Sequence, residues 1–223
     1  MLSRRNSIQD RQKVEVPVTK IRRTCSISDA DIVDSTPTYV LPIDETPYPI
    51  KRITPQTLVK VMSGEFSQHF DRLVIVDCRF RYEYEAGHIH NAININTKGA
   101  LRGRFFEATT QRTCVVFHCE FSSQRAPRAC AYMRSHDRVV NAVGFPYLHF
   151  PDIYVVEGGY KNFFQQYPEY CTPQAYLEMR DPRFAEECAI NETLNEREWS
   201  EGKSSRSKSA RQRDPMDDDD DQL

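Results

Sequence analysis

The chain has 223 residues, 39% of them hydrophobic, and a formal net charge of −2 at pH 7. No stretch approaches the length of a membrane span, and no basic stripe interleaved with aromatic residues indicates nucleic-acid binding. The seven cysteines are irregularly spaced and form no CxxC pair, so neither a metal site nor a secreted disulfide framework is indicated.

Residues 1–35 are polar and lack sustained periodicity, which predicts a disordered regulatory tail. In this tail Ser7 and Ser26 each follow an arginine by three residues, the spacing that basic-directed kinases favour. A phosphate there could pair with the arginines of a phosphoserine-binding adaptor protein. The alternative is an ordinary basic tail that happens to contain serine.

Residues 36–199 are predicted to form one catalytic domain of α/β class. An extended, proline-rich strap leads to a helix start at Thr54-Pro55, and Gly64 ends that helix. Strands are then predicted at 73–77, 92–95, 114–117 and 153–156, and helices at 82–86, 98–110, 125–135, after Gly159, and at 174–197 with an interruption at Asp181-Pro182. This alternation predicts a mostly parallel sheet with helices on both faces. Residues 200–223, with their five-aspartate end, are predicted to be a second disordered tail.

The strand–loop–helix junction around Cys119 carries the clearest chemical signal. Five residues lie between Cys119 and Arg125: Glu120, Phe121, Ser122, Ser123 and Gln124. Together with Arg125 they form a candidate phosphate-binding loop. Backbone N–H groups of a loop that enters a helix converge on an anion, and the same positive field favours a cysteine thiolate. The planar fork of Arg125 can bind two phosphate oxygens. The pattern therefore predicts phosphoryl transfer through a phosphocysteine, rather than a small buried cysteine at a strand end.

Three neighbours of this loop are further candidates. Glu120 is the acidic residue inside the loop and so the candidate general acid, although a solvated carboxylate or a proton carried by the substrate would also fit. His118 is expected to face away from Cys119 along the strand and to have an orienting, hydrogen-bonding role. Cys78 follows the neighbouring strand and could capture an oxidised Cys119 as a disulfide, or be a structural cysteine.

Several separate blocks of the chain, beyond this loop, resemble the M-phase inducer phosphatases, the cell division cycle twenty-five family. The matching blocks are 75–79, 82–85, 87–89, 117–123, 137–138, 158–161 and 197–199. The resemblance implies a rhodanese-like domain without a metal or organic cofactor. It also implies a dual-specificity phosphatase that activates a cyclin-dependent kinase–cyclin complex by removing phosphate from adjacent threonine and tyrosine. We expect a monomer of nucleus and cytoplasm, bound to neither membrane nor nucleic acid.

Carried over by position, the resemblance implies roles for individual residues. Cys119 is then the nucleophile, Arg125 the phosphate ligand, Glu120 a proposed acid and Cys78 the redox partner. In addition, Arg134 and Arg138 fall where the family docks its kinase, although plain helix-surface arginines would look the same.

The chain also departs from the family in three places. Gln124 stands where many members carry glutamate, residues 141–151 are longer than in familiar vertebrate members, and the amino-terminal region is short. The other classes considered are a rhodanese-fold sulfurtransferase, an arsenate reductase and a non-catalytic rhodanese-like module. The five residues between Cys119 and Arg125 favour phosphate over sulfur transfer, and the presence of both residues argues against a non-catalytic module.

Overall fold

The computed structural model describes residues 40–43, 50–106, 111–144 and 146–200. Within these ranges the α-helices are α1 (Pro55–Met62), α2 (Arg81–Ala86), α3 (Lys98–Phe105), α4 (Arg125–Val140), α5 (Gly159–Gln166) and α6 (Ala185–Ser200). The strands are β1 (Arg52–Ile53), β2 (Arg72–Asp77), β3 (His88–Ile89), β4 (Ile93–Asn94), β5 (Thr113–His118), β6 (Ile153–Val156) and β7 (Cys171–Thr172).

The main sheet consists of five parallel strands in the order β1-β6-β5-β2-β4. The β-branched, apolar strand β5 lies in the middle and is buried along its whole length, as expected for a strand that is covered on both faces. It pairs with β2 over six residues, from Thr113 opposite Arg72 to His118 opposite Asp77. The predicted central strand is therefore confirmed. Strands β3 and β7 form a small separate antiparallel pair.

Helices cover both faces of this sheet, as the sequence predicts. On one face α3 and α4 pack against Val115 and Phe117 of β5, together with Trp199 of α6. On the other face α1 and α5 pack against Val116 of β5 and Ile75 of β2. Alternate residues of each strand thus enter opposite cores, which is the period-two pattern of a strand.

The carboxyl ends of β2 and β5 lie side by side, and the residues that follow them meet at one edge of the sheet. The N–H group of Cys78 donates to the carbonyl of His118 over 2.8 Å. In open α/β sheets this edge is where functional groups gather. Cys78 and Cys119 are therefore brought to the same edge by the strand register alone.

Three predicted boundaries were wrong. The helix expected at 98–110 ends at Phe105. Residues 174–180 are not helical, because distant tyrosines take their carbonyls: Tyr160 Oη donates to Ala175 O, and Tyr82 Oη donates to Met179 O. The remainder of that prediction corresponds to α6. In addition, α4 extends five residues past Ser135, because Asp137 inside its last turn is completely buried and hydrogen-bonded.

The predicted tails and their boundaries lie mostly outside the described residues, and so does part of the proline-rich strap. Among the described helices, none has both the length and the apolar character needed to cross a membrane.

Candidate active site

The loop from Cys119 to Gln124 surrounds a nearly buried cysteine, since Cys119 is 3% exposed. Five successive N–H groups, those of residues 120–124, have no hydrogen-bond acceptor within the described part of the chain. Ser122 occupies the left-handed region with a φ of 53°, and its carbonyl accepts two hydrogen bonds from Arg52. Because α4 begins directly after the loop, its positive end adds to the field of the free amides. This arrangement suits a bound oxyanion next to the Cys119 thiol.

Arg125 is held by Glu83, a residue that sequence reasoning did not single out as functional. Nη1 and Nη2 of Arg125 donate to the two oxygens of the fully buried Glu83 carboxylate, the Nη2 contact spanning 3.0 Å. Glu83 also accepts the Phe80 N–H over 2.9 Å, at the start of α2. Burial alone would lower the pKa of Arg125, but the hydrogen bonds and charge of Glu83 raise it, so the guanidinium remains charged.

This pairing leaves part of the Arg125 guanidinium available. The contacts with Glu83 use one N–H on each terminal nitrogen, and a guanidinium carries five. The Nε–H and the outer N–H of Nη2 form a second edge of the group. These two N–H bonds are parallel to each other and can bind two phosphate oxygens. Glu83 therefore fixes the orientation of Arg125 without occupying the edge that a phosphate needs.

Glu120 is buried rather than solvated, which excludes the solvated-carboxylate interpretation. It is 5% exposed, and its Oε1 accepts the Tyr176 hydroxyl over 2.5 Å. Its Oε2 lies 3.8 Å from Nη2 of Arg125. Oε1 is therefore engaged as an acceptor, and Oε2 is the carboxyl oxygen that lies toward Arg125.

A buried polar cluster lies behind the loop. The Arg79 side chain, fully buried, binds the Asp77 carboxylate through Nε at 3.0 Å and Nη2 at 2.6 Å. Its guanidinium carbon lies 3.9 Å from the centre of the Tyr160 ring. The Asp77–Arg79 pair fixes the chain directly after β2, on both sides of Cys78.

His118 faces this cluster, on the opposite side of β5 from Cys119, as predicted. Its ring stacks on Tyr160 at 6.0 Å, and Nε2 lies 3.8 Å from Asp77. Neither ring nitrogen has a hydrogen-bond partner of ordinary geometry among the described residues, but the Cys119 backbone interacts with the ring, so the hydrogen-bonding role stays a prediction. Burial lowers the pKa of His118 to about 4, so the imidazole is neutral at physiological pH.

Cys78 is 2% exposed and lies in the same buried cluster as Cys119. Burial raises the pKa of the Cys78 thiol, and the negative charge of a nearby Cys119 thiolate raises it further. Cys78 is therefore held as a thiol, and Cys119 is the cysteine that lines the cleft.

The loop opens into a shallow cleft of about 180 Å³. Its rim includes Phe121 of the loop and residues from the segments before α2 and before and within α6: Phe80, Met179, Glu192, Asn195 and Glu196. Arg128 joins the two sides, since it donates to Asn195 Oδ1 and lies 4.8 Å from the Trp199 ring. The contribution of α6 to the cleft could not be predicted from the sequence, because it depends on contacts more than sixty residues apart.

The two predicted docking arginines lie away from this cleft on α4. At 1.5 Å per residue, Arg134 and Arg138 stand about 14 and 20 Å along the helix from Arg125. Arg134 is engaged: it donates to the carbonyls of Phe150 and Pro151 over 2.7 and 2.8 Å. Arg138 is exposed and has no hydrogen bond or ion pair among the described residues. The candidate phosphosites Ser7 and Ser26 lie outside the described residues.

Comparison with known proteins agrees with this geometry. Residues 62–166 match a family described as "Rhodanese-like domain". Over 223 aligned residues the chain is 36% identical to "M-phase inducer phosphatase 2" of Mus musculus, which covers 91% of this chain and 38% of that protein. It is 41% identical over 140 residues to "M-phase inducer phosphatase" of Schizosaccharomyces pombe, which covers 62% of this chain and 24% of the other.

The fold and site thus define a protein with a rhodanese-like domain, and the predicted fold class is confirmed. The relatives that match most of this chain by sequence are M-phase inducer phosphatases, the family that its separate motif blocks resemble. The chain spans only about 38% of the length of the mouse relative. A yeast protein tyrosine phosphatase of the rhodanese family is 20% identical, covering 56% of this chain and 90% of its own, with a TM-score of 0.43, too low to add to the assignment.

Proposed function

We propose that this chain is a cysteine-dependent dual-specificity protein phosphatase. The observation that carries the proposal is the loop of five unpaired N–H groups around Cys119, closed by a charged Arg125. Such a loop offers donors to the equatorial oxygens of a phosphoryl group, where charge is distributed during transfer. The proteins similar in sequence are named phosphatases, which is the same class of reaction.

In the proposed reaction the Cys119 thiolate attacks phosphorus, and an S–P bond forms as the P–O bond to the protein side chain breaks. The leaving oxygen takes a proton. Water then hydrolyses the phosphocysteine, releasing inorganic phosphate and restoring the thiolate. Glu120 is the proposed donor of this proton, through Oε2, because Oε1 is engaged with the Tyr176 hydroxyl. A proton on the substrate phosphate is the alternative source.

The proposed substrate is a cyclin-dependent kinase–cyclin complex carrying phosphate on adjacent threonine and tyrosine residues. The cleft of about 180 Å³ is smaller than the pockets of roughly 300–1,000 Å³ that enclose small molecules, which supports a substrate presented on a protein surface. We further propose that Arg138, with Arg134, docks the kinase, that a phosphoserine-binding adaptor recognises Ser7 and Ser26, and that the protein acts in nucleus and cytoplasm.

The first test is hydrolysis of a small aryl phosphate by the purified chain. We expect Cys119→Ser to abolish turnover without unfolding the protein, because serine at this position keeps the volume but not the thiolate. Cys171→Ser is the matched control, since Cys171 is equally buried but lies in the other core. Retained turnover in Cys119→Ser would contradict the mechanism.

A further inference from the structure

The first turn of α5 contacts the back of the phosphate-binding loop. The N–H of Tyr160 donates to the carbonyl of Cys119 over 2.8 Å, and the N–H of Lys161 donates to the carbonyl of Glu120 over 3.1 Å. The first N–H groups of a helix have no partner inside the helix. Here two of them are satisfied by the first two carbonyls of the loop.

These two hydrogen bonds determine the direction of the loop amides. In a planar trans peptide the C=O and N–H groups point to opposite sides. Since the carbonyls of Cys119 and Glu120 point toward α5, the N–H groups of Glu120 and Phe121 point away from it. Both belong to the row of N–H groups that have no acceptor among the described residues.

Gly159 is what allows so close an approach. A Cβ atom at this position would lie 2.5 Å from the Cys119 carbonyl oxygen and 2.5 Å from that of Glu120. Neither atom can move without moving the loop, because both belong to its backbone. Any side chain at residue 159 would therefore displace the loop from α5 and rotate the peptide units that bear the candidate phosphate donors.

We propose that the first turn of α5 sets the curvature of the phosphate-binding loop and that Gly159 is a positioning residue for Cys119. The inference rests on the proposed function and adds to it a structural determinant outside the Cys119–Arg125 segment. Gly159 itself touches no substrate and acts through the two carbonyls.

The neighbouring glycine provides a matched control. Gly158 and Gly159 both have a positive φ, of 68° and 65°. Alanine is therefore strained at both positions. At Gly158, however, the three atoms nearest to an added Cβ all belong to the Asn162 side chain, the closest at 2.6 Å, and none belongs to the loop. A difference between the two variants thus reports contact with the loop rather than backbone strain.

The experiment compares Gly159→Ala with Gly158→Ala after thermal unfolding has shown that both variants lose a similar amount of stability. We expect kcat/KM for a small aryl phosphate to fall about 100-fold in Gly159→Ala, the order of loss that a misplacement of about 1 Å produces. We also expect weaker inhibition by tungstate and a pH profile of Cys119 alkylation by iodoacetamide, read by peptide mapping, that moves to higher pH. Gly158→Ala is expected to remain close to the unmodified protein in all three measurements.

A second pair of variants covers the case in which Gly159→Ala does not fold. Lys161→Pro removes the N–H that Glu120 O accepts, at a position in the first turn where that N–H makes no helical bond. Lys161→Ala removes the same side chain but keeps the N–H. We expect tungstate inhibition and alkylation to change in Lys161→Pro beyond the change in Lys161→Ala.

Two outcomes would overturn the inference: unchanged tungstate inhibition and alkylation in Gly159→Ala and Lys161→Pro, or equal losses in Gly158→Ala and Gly159→Ala. The alkylation measurement needs no catalysis. If the unmodified protein hydrolyses no phosphate ester but the alkylation profiles differ as expected, the positioning role stands and the proposed function fails.

Discussion

Glu83 links two requirements on Arg125 that would otherwise conflict. A phosphate ligand must be charged and fixed in direction, yet burial of a charge is costly unless it is paired. The carboxylate supplies the pairing on one edge of the guanidinium and leaves the other edge for substrate. The Phe80 N–H holds the carboxylate in turn, so the orientation of Arg125 follows from the start of α2.

Glu83→Gln is expected to weaken both stability and activity. It leaves Arg125 mostly buried opposite a neutral amide, which we expect to cost about 3 kcal/mol of unfolding free energy. Denaturant unfolding and kcat/KM for an aryl phosphate measure the two effects. Glu85→Gln in the same helix is the control, because Glu85 is exposed and pairs only with the exposed Arg81. Equal effects of the two substitutions would show that the Glu83 ion pair is dispensable.

Buried His118 is expected to make the stability of the fold sensitive to acid. An unfolded histidine binds a proton near pH 6.5, whereas buried His118 has a pKa of about 4. Between these values the unfolded state binds more protons, so stability is full above about pH 6.5 and falls as the pH drops toward 4. At pH 5 the loss amounts to about 2 kcal/mol. His118→Phe should flatten the unfolding free energy between pH 7 and 5; the same slope in both proteins would contradict this.

Residue positions within one local segment or at the ends of neighbouring strands could be predicted, whereas side-chain contacts between distant segments could not. Cys119 and Arg125 share one loop, so their spacing alone predicts a common site. Glu83 is 42 residues from Arg125, and only the folded sheet brings α2 beside the loop. The burial of Glu120 likewise depends on Tyr176, 56 residues away.

At the scale of elements, β2 and β5 place two cysteines directly after adjacent strand ends. The position follows from the parallel register, in which Asp77 lies opposite His118. The predicted redox role of Cys78 needs this proximity and also needs one thiol to be reactive and the other protonated. Burial of Cys78 and the cleft position of Cys119 meet that condition.

We expect peroxide to oxidise the Cys119 thiolate to a sulfenic acid, which the Cys78 thiol attacks to form a disulfide with loss of water. Peptide mapping should show a Cys78–Cys119 disulfide, reversed by dithiothreitol with recovery of activity. Cys78→Ser should instead yield overoxidised Cys119, while Cys130→Ser, which removes another thiol of the same core, should still form the disulfide. Only overoxidised Cys119 in the unmodified protein would count against the role.

The elements that could be predicted are those whose own sequence decides their structure. The central four residues of β2 and of β5, and the whole of β6, are hydrophobic and mostly β-branched or aromatic. Thr54-Pro55 caps α1 as expected, with the Thr54 hydroxyl accepting the Thr57 N–H. The sequence of residues 174–180 predicts a helix, but carbonyls of this segment accept hydrogen bonds from the Tyr82 and Tyr160 hydroxyls instead of from helical N–H groups. Tertiary contacts therefore override the local preference there.

At the scale of the whole molecule, α4 connects the site of chemistry with the candidate docking surface. Arg125 begins the helix, and Arg138 stands near its other end, about 20 Å away along the axis. A rigid helix fixes this separation. A protein substrate that engages both ends must present its phosphate and its docking group at a matching distance.

Arg138→Ala is expected to raise KM for the phosphorylated kinase–cyclin complex about tenfold, corresponding to about 1.4 kcal/mol, and to leave aryl phosphate hydrolysis unchanged. Arg134→Ala is a poorer probe, because it also releases the carbonyls of Phe150 and Pro151. Lys60→Ala, at an exposed lysine of α1 on the other face of the sheet, is the control. Equal losses on both substrates would remove Arg138 from docking.

The position of Trp199 provides a fluorescence signal close to the candidate active site. It is the only tryptophan of the chain; its indole lies 4.8 Å from the Arg128 guanidinium at the cleft and donates through Nε1 to Asn96 O. Its intrinsic fluorescence therefore comes from a single position between α6 and the active-site wall. Ligand entry, loss of the α6 contact and global unfolding can each be followed at this one native optical reporter, without any introduced label.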